Sequence, residues 1–186
     1  KVLTFNALKL RVEEAALADE WQDAIELFAS CDVVLLQEVR GSDALFHRRF
    51  VDHVLRQMRK YDAGWQYVRS QPSGGTPKDC VAEVHVVLYR APLRQVEGTR
   101  PSTLATVGGE SMGHAPLVVT LQAYGLDFNL VSVHLPPAST ERRPERDRQL
   151  RALFKHYPLE AALRKERIFR RDGKRFVLHV IGGDFN

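Results

Sequence analysis

The chain has little cysteine, and Cys31 and Cys80 stand alone, with no Cys-X-X-Cys pair and no finger spacing. That excludes a thiolate zinc site, and in sequence two plain thiols and one surface disulfide look alike. Long apolar runs are missing too. None approaches the ~18 residues that a membrane-spanning helix needs. There is no internal repeat and no low-complexity stretch, which excludes solenoids and linker-like tails. An acidic surplus is also lacking. Lys and Arg number 27 against 23 Asp and Glu, a net charge of +4 with a pI near 9.2. This balance suits a polyanionic partner such as nucleic acid or anionic headgroups, without requiring one. What is present is ordinary: 186 residues, 44% hydrophobic and 9% aromatic, enough for one globular domain or most of a larger one.

The periodicity predicts strands alternating with helices at the start of the chain. Lys1 to Asn6 reads as a short strand. Trp21, Ala24, Ile25 and Phe28 have the spacing of a helix face. Val33-Val34-Leu35-Leu36 is a solid apolar run suited to a strand covered on both faces, ending on Gln37-Glu38. Ser42 is placed to cap a second helix with Leu45, Phe46, Phe50, Val51, Val54, Leu55 and Met58 inward. Trp65 to Ser70 reads as a strand before the Gly- and Pro-rich loop 72–77, and Glu83 opens a strongly apolar strand to Arg90. Pro116 to Ala123 and Asp127 to His134 form a hairpin turning at Tyr124-Gly125. The charge-rich stretch 138–174 holds one or two helices, whose Arg run, interleaved with Glu and Asp, reads as a solvated face. Phe176 to Ile181 is a last strand.

Chemistry-bearing side chains cluster at strand ends. Asn6, Glu38, His134, and Asp184 with Asn186 each follow an apolar strand, and Glu83 starts one, which an antiparallel neighbour would bring to the same edge. Strand ends on one edge of a sheet are where side chains distant in sequence converge on a ligand. An Asn and three carboxylates around one His suit a hard divalent ion with oxygen ligands. Zinc suits the set poorly, because no thiolate and no second nearby His is evident. Such an ion stabilises charge on a phosphoryl group, a carboxylate orients water, and a His paired with a carboxylate donates a proton. His47, His53, His85 and His179 fall inside strand or helix patterns and read as structural.

Taken in order, Thr4-Phe5-Asn6, Leu36-Gln37-Glu38-Val39-Arg40, Glu83 ahead of Leu88-Tyr89-Arg90, Val133-His134 and Gly183-Asp184-Phe185-Asn186 resemble the endonuclease/exonuclease/phosphatase superfamily, and within it most closely deoxyribonuclease I. The resemblance spans the whole chain. It implies an α+β fold, a four-layer α/β/β/α sandwich, and hydrolysis of DNA phosphodiesters assisted by Mg²⁺, with Mn²⁺ or Ca²⁺ as the other candidates. It implies metal holding by Asn6 and Glu38, water orientation by Asp184, phosphate contact by Asn186, an acid or phosphate-clamping pair in Glu83 and His134, and nucleic-acid contact by Arg40. The superfamily pattern continues beyond Gly-Asp-Phe-Asn with a further acidic residue and an Asp-His pair. The expectation is therefore a C-terminally incomplete domain over residues 1–186, short of its last strands and inactive alone.

Two departures bear on substrate. Val81 stands where the deoxyribonuclease branch has a DNA-contacting Tyr, and His114 stands where the superfamily often has an Arg two residues before a Pro. Both loosen the expectation of duplex DNA and leave the metal site untouched. The alternatives are RNA as partner, a phosphatase or phospholipase acting on inositol phosphates, a phosphorylated small molecule or lipid headgroups, and an inactive binding module.

Overall fold

The computed structural model describes residues 1–7, 21–41, 44–71, 82–137, 139–156 and 177–185. The expectations for Ser42, loop 72–77, Val81, the second half of 138–174 and Asn186 lie outside them, as does the side chain of Arg40. In chain order the elements are β1 (Val2–Asn6), α1 (Gln22–Ala29), β2 (Val33–Gly41), α2 (Ala44–Met58), β3 (Gln66–Arg69), β4 (Ala82–Tyr89), β5 (Arg94–Gln95), β6 (Ser102–Thr103), β7 (Thr106–Val107), β8 (Glu110–Ser111), β9 (Leu117–Ala123), β10 (Leu126–His134), α3 (Arg143–His156) and β11 (Val177–Asp184).

Two mixed sheets face each other, one ordered β1-β2-β4-β3 and the other β11-β10-β9-β5, with β6 also paired to β9. β1 runs parallel to β2 and β11 parallel to β10, while β4 runs antiparallel to β2 and β9 antiparallel to β10. The β9–β10 hairpin turns at Tyr124 and Gly125, both at positive φ (52° and 75°), which is type I′ geometry and matches the twist of the strands it joins.

Strand alternation divides the apolar residues among three interfaces. Val34, Leu36, Val84, Val86 and Leu88 face the helices and pack with Trp21, Ile25 and Phe28 and with Phe50, Val51, Val54 and Met58. Their neighbours Val33, Leu35, Val87 and Tyr89 face the other sheet and meet Leu117, Val119, Leu121 and Leu130. Beyond the second sheet, Val131, Val133 and Leu135 pack with Val107, Met112, Ala152 and Leu153. Helix, sheet, sheet and helix therefore stack as four layers, the α+β sandwich that the resemblance implies.

One boundary differs from the sequence reading in a way that matters. The second strand does not stop at Glu38; β2 continues to Gly41. Leu36 pairs with Val86 and Val39 with Val84, so Gln37 and Glu38 together oppose His85 alone. This is a β-bulge, and Glu38 takes a φ of +55° in it. Simple alternation would send Glu38 to the helix side with Val34 and Leu36. The bulge turns it between the sheets instead.

Candidate active site

The slot between the sheets changes character along the strands. At one end it is apolar, with Val33, Leu35, Val87 and Leu130. Midway it turns polar. Thr4 Oγ1 donates to Gln37 Oε1 at 3.1 Å, Gln37 Nε2 donates to Ser132 Oγ at 3.0 Å, and Ser132 Oγ lies 3.1 Å from His85 Nδ1. Gln37, His85 and Ser132 are fully buried, so this chain of bonds satisfies groups that burial would otherwise penalise. Sequence reading left His85 structural, and it gave no sign of Gln37 and Ser132 as its partners.

At the polar end five strands deliver five side chains: Asn6 from β1, Glu38 from β2, Glu83 from β4, His134 from β10 and Asp184 from β11. Asn6 Nδ2 donates to Glu38 Oε1 at 2.7 Å and to Asp184 Oδ2 at 2.5 Å, joining one sheet to the other. His134 Nδ1 lies 2.8 Å from Glu83 Oε1, and its Nε2 lies 3.3 Å from Glu38 Oε1. The backbone N–H of Glu38 also donates to Glu83 Oε1, at 3.2 Å, which ties the bulge to the pair. Glu38, Glu83 and His134 are buried, and Asp184 is partly open. The backbone of Arg40 lies opposite Glu83 in the ladder.

Charge distribution follows from this geometry. Burial works to raise Glu83, but the hydrogen bond from His134 and the charges of His134, His114 and His85 outweigh it, so its carboxyl is held below the usual value. Burial works against the proton on His134, and the Glu83 hydrogen bond with the charges of Glu83, Glu38 and Asp184 prevails, raising its pKa above 6.5. An ionised Glu83 only accepts, so Nδ1–H of His134 is the donor. Burial pushes the neighbouring His85 the other way, to about 4, with Glu83's charge opposing.

The sequence shows no second His near the strand ends, and the structure supplies one: the His114 ring stacks on His134 with centroids 4.5 Å apart and planes 29° apart. Its Nδ1 lies 3.4 Å from Glu83 Oε2. The loop before β9 brings it there, and no periodicity in the sequence reports a loop contact of that kind.

The donor set suits a divalent ion. Glu38, His134 and Asp184 each offer a ligand atom within 4.8 Å of the others, and Asn6 holds the two carboxylates together. Mostly oxygen donors with solvent access on one side match the requirements of Mg²⁺ or Mn²⁺.

Solved structures share this architecture. TDP2 from D. rerio complexed with single strand DNA product aligns at a TM-score of 0.62 and 15% identity, covering 100% of this chain and 60% of that one. The chain has the deoxyribonuclease I-like fold. TDP2 from C. elegans aligns at a TM-score of 0.61 and 17% identity, over 100% of this chain and 47% of that one. The human Nocturnin catalytic domain with bound sulfate anion aligns at 0.58 and 17%, over 92% and 59%. No protein-family model and no curated protein sequence matches the chain. The chain thus spans less than two thirds of the length of each of these deoxyribonuclease I-like structures.

Proposed function

We propose that this chain is the metal-holding part of a metal-dependent phosphodiesterase, an endonuclease that hydrolyses DNA phosphodiester bonds. The observation that carries the reading is the convergence of Asn6, Glu38 and Asp184, drawn from both sheets, beside the buried Glu83–His134 pair. A metal ion held by Glu38 and Asn6 would supply charge stabilisation to a phosphoryl group. Asp184, partly open to solvent, orients the attacking water and takes up its proton. His134 keeps its proton at Nδ1 through Glu83 and presents Nε2 toward Glu38, from where it donates to a phosphate oxygen. Glu83 acts through His134 by fixing its orientation. Asn186 and Arg40 are assigned phosphate and nucleic-acid contact on the resemblance alone.

DNA is favoured over a small phosphate ester by the chain's net charge of +4 and by the likeness to a TDP2 structure complexed with single strand DNA product. The test is the full-length protein on plasmid DNA with Mg²⁺, alongside Glu38→Ala and Asp184→Ala. Cleavage that both substitutions abolish supports the reading. Cleavage that neither alters removes the site, and release of phosphate from inositol phosphates with DNA left intact replaces the substrate.

A further inference from the structure

Glu83 lies between two imidazoles. His134 Nδ1 is 2.8 Å from its Oε1, and His114 Nδ1 is 3.4 Å from its Oε2. The donor atoms of Glu83, His114 and His134 all fall within 4.8 Å of one another. We propose that these three side chains form a second cation site, one that takes Zn²⁺, beside the oxygen-rich site of Asn6 and Glu38.

Ligand chemistry separates the two sites. Mg²⁺ takes oxygen donors and keeps much of its water, whereas two imidazole nitrogens and one carboxylate match the three-ligand sites of zinc with an open fourth position. Glu83 and His134 are enclosed, and although the His114 side chain is 25% exposed its Nδ1 and the Glu83 Oε2 that it faces are themselves buried. The rings stack 29° from parallel and both Nδ1 atoms meet the same carboxylate, one at each oxygen.

His114 is also held in place on both sides of its loop. Ser111 O accepts from Gln149 Nε2 at 3.0 Å, Met112 is buried and its N–H donates to Ala105 O at 2.9 Å, and Pro116 O accepts from Leu104 N at 3.0 Å. The other two ligands stand on β4 and β10, in the middle of their sheets. A site on such supports is organised before the ion arrives. Glu83 Oε1 also accepts from the backbone of Glu38, so the two sites share a boundary. Because an ion there replaces the Glu83–His134 hydrogen bond, zinc binding and proton donation by His134 exclude one another. The inference shares those two residues with the reading above, and its test therefore reads the ion directly.

Metal-free full-length protein is titrated with Co²⁺ in saturating Mg²⁺, with visible absorption as the readout. The expected result is one equivalent of Co²⁺ with the intense bands of a tetrahedral, nitrogen-ligated ion, displaced by one equivalent of Zn²⁺. H114A and H114Q, checked for folding by circular dichroism, lose the bands and weaken Zn²⁺ by about 100-fold or more, the upper range for loss of a supporting group. Mg²⁺ binding by calorimetry survives both substitutions. Absent bands, bands that Mg²⁺ removes, or bands unchanged in H114A and H114Q overturn the second site. If Mg²⁺ fails to bind while the Co²⁺ bands appear, the oxygen site falls and this one stands.

Discussion

His134 is held by Glu83 through a buried contact of 2.8 Å between Nδ1 and a carboxylate that is below its usual pKa. The consequence is a proton kept on an imidazole that burial alone would strip. In the full-length protein, Glu83→Gln removes the charge and leaves burial unopposed by it. The alkaline limb of kcat/KM, where His134 loses its proton, is then expected to move to lower pH. His134→Ala abolishes that limb and lowers the rate by about 10²- to 10⁴-fold. An unmoved limb in Glu83→Gln would take the acid role away from His134.

The Asn6 side chain bridges Glu38 and Asp184, at 2.7 and 2.5 Å. In Asn6→Ala the two carboxylates lose their common donor and repel each other. The metal site is expected to open, with Mg²⁺ affinity reduced about 10- to 100-fold. Calorimetry on the apoprotein and the Mg²⁺ dependence of kcat both read this. Equal affinity in the two proteins would reduce Asn6 to a structural cap.

Two adjacent glycines should respond very differently to alanine. A Cβ on Gly183 would lie 1.9 Å from the carbonyl oxygen of Val133, which is backbone of the neighbouring strand and cannot yield without separating β11 from β10. A Cβ on Gly182 would meet Leu35 Cδ1 at 2.8 Å, the end of a side chain that can rotate. Gly183→Ala is therefore expected to cost about 3 kcal/mol or more and Gly182→Ala about 1 kcal/mol. Urea unfolding monitored on both variants gives the comparison. Gly183→Ala should also lower the cleavage rate, since Asp184, assigned to orient the attacking water, is the next residue.

Much of this arrangement was legible because strands announce themselves by period two. Asn6, His134 and Asp184 close their strands and the β9–β10 hairpin turns where the strand pattern breaks, whereas the four-layer order came from the resemblance and not from periodicity. Glu38 is different. Its residue type pointed to the site, but its strand was read as ending there, because a bulge is defined by the register of the partner strand and leaves no trace in its own sequence. His114 was seen only as a departure from a resemblance, since its approach to Glu83 depends on how a loop closes over a sheet edge. The two-residue strands β5 to β8 are too short to show any periodicity.

His85 offers a stability test of the polar core that is separate from catalysis. Its Nδ1 lies 3.1 Å from Ser132 Oγ, which also accepts from Gln37 Nε2. His85 Nε2 has no hydrogen-bond partner among the described residues, and the ring is fully buried. Protonation would place a charge there, and burial accordingly lowers the pKa from 6.5 to about 4. The unfolded chain binds the proton below 6.5 while the folded chain refuses it until about 4, so stability falls as pH drops through that window. The full loss is about 3 kcal/mol. Glu83, with its pKa lowered, adds a loss only below about 4.5, and His134, with its pKa raised, acts with the opposite sign above 6.5. His53 and His179 are lowered as well, so the difference between two proteins isolates His85. His85→Asn keeps a polar atom for Ser132 without a titrating ring. Its unfolding free energy should change less between pH 6.5 and pH 4 than that of the unsubstituted protein, and parallel curves for the two would show that His85 does not titrate with folding.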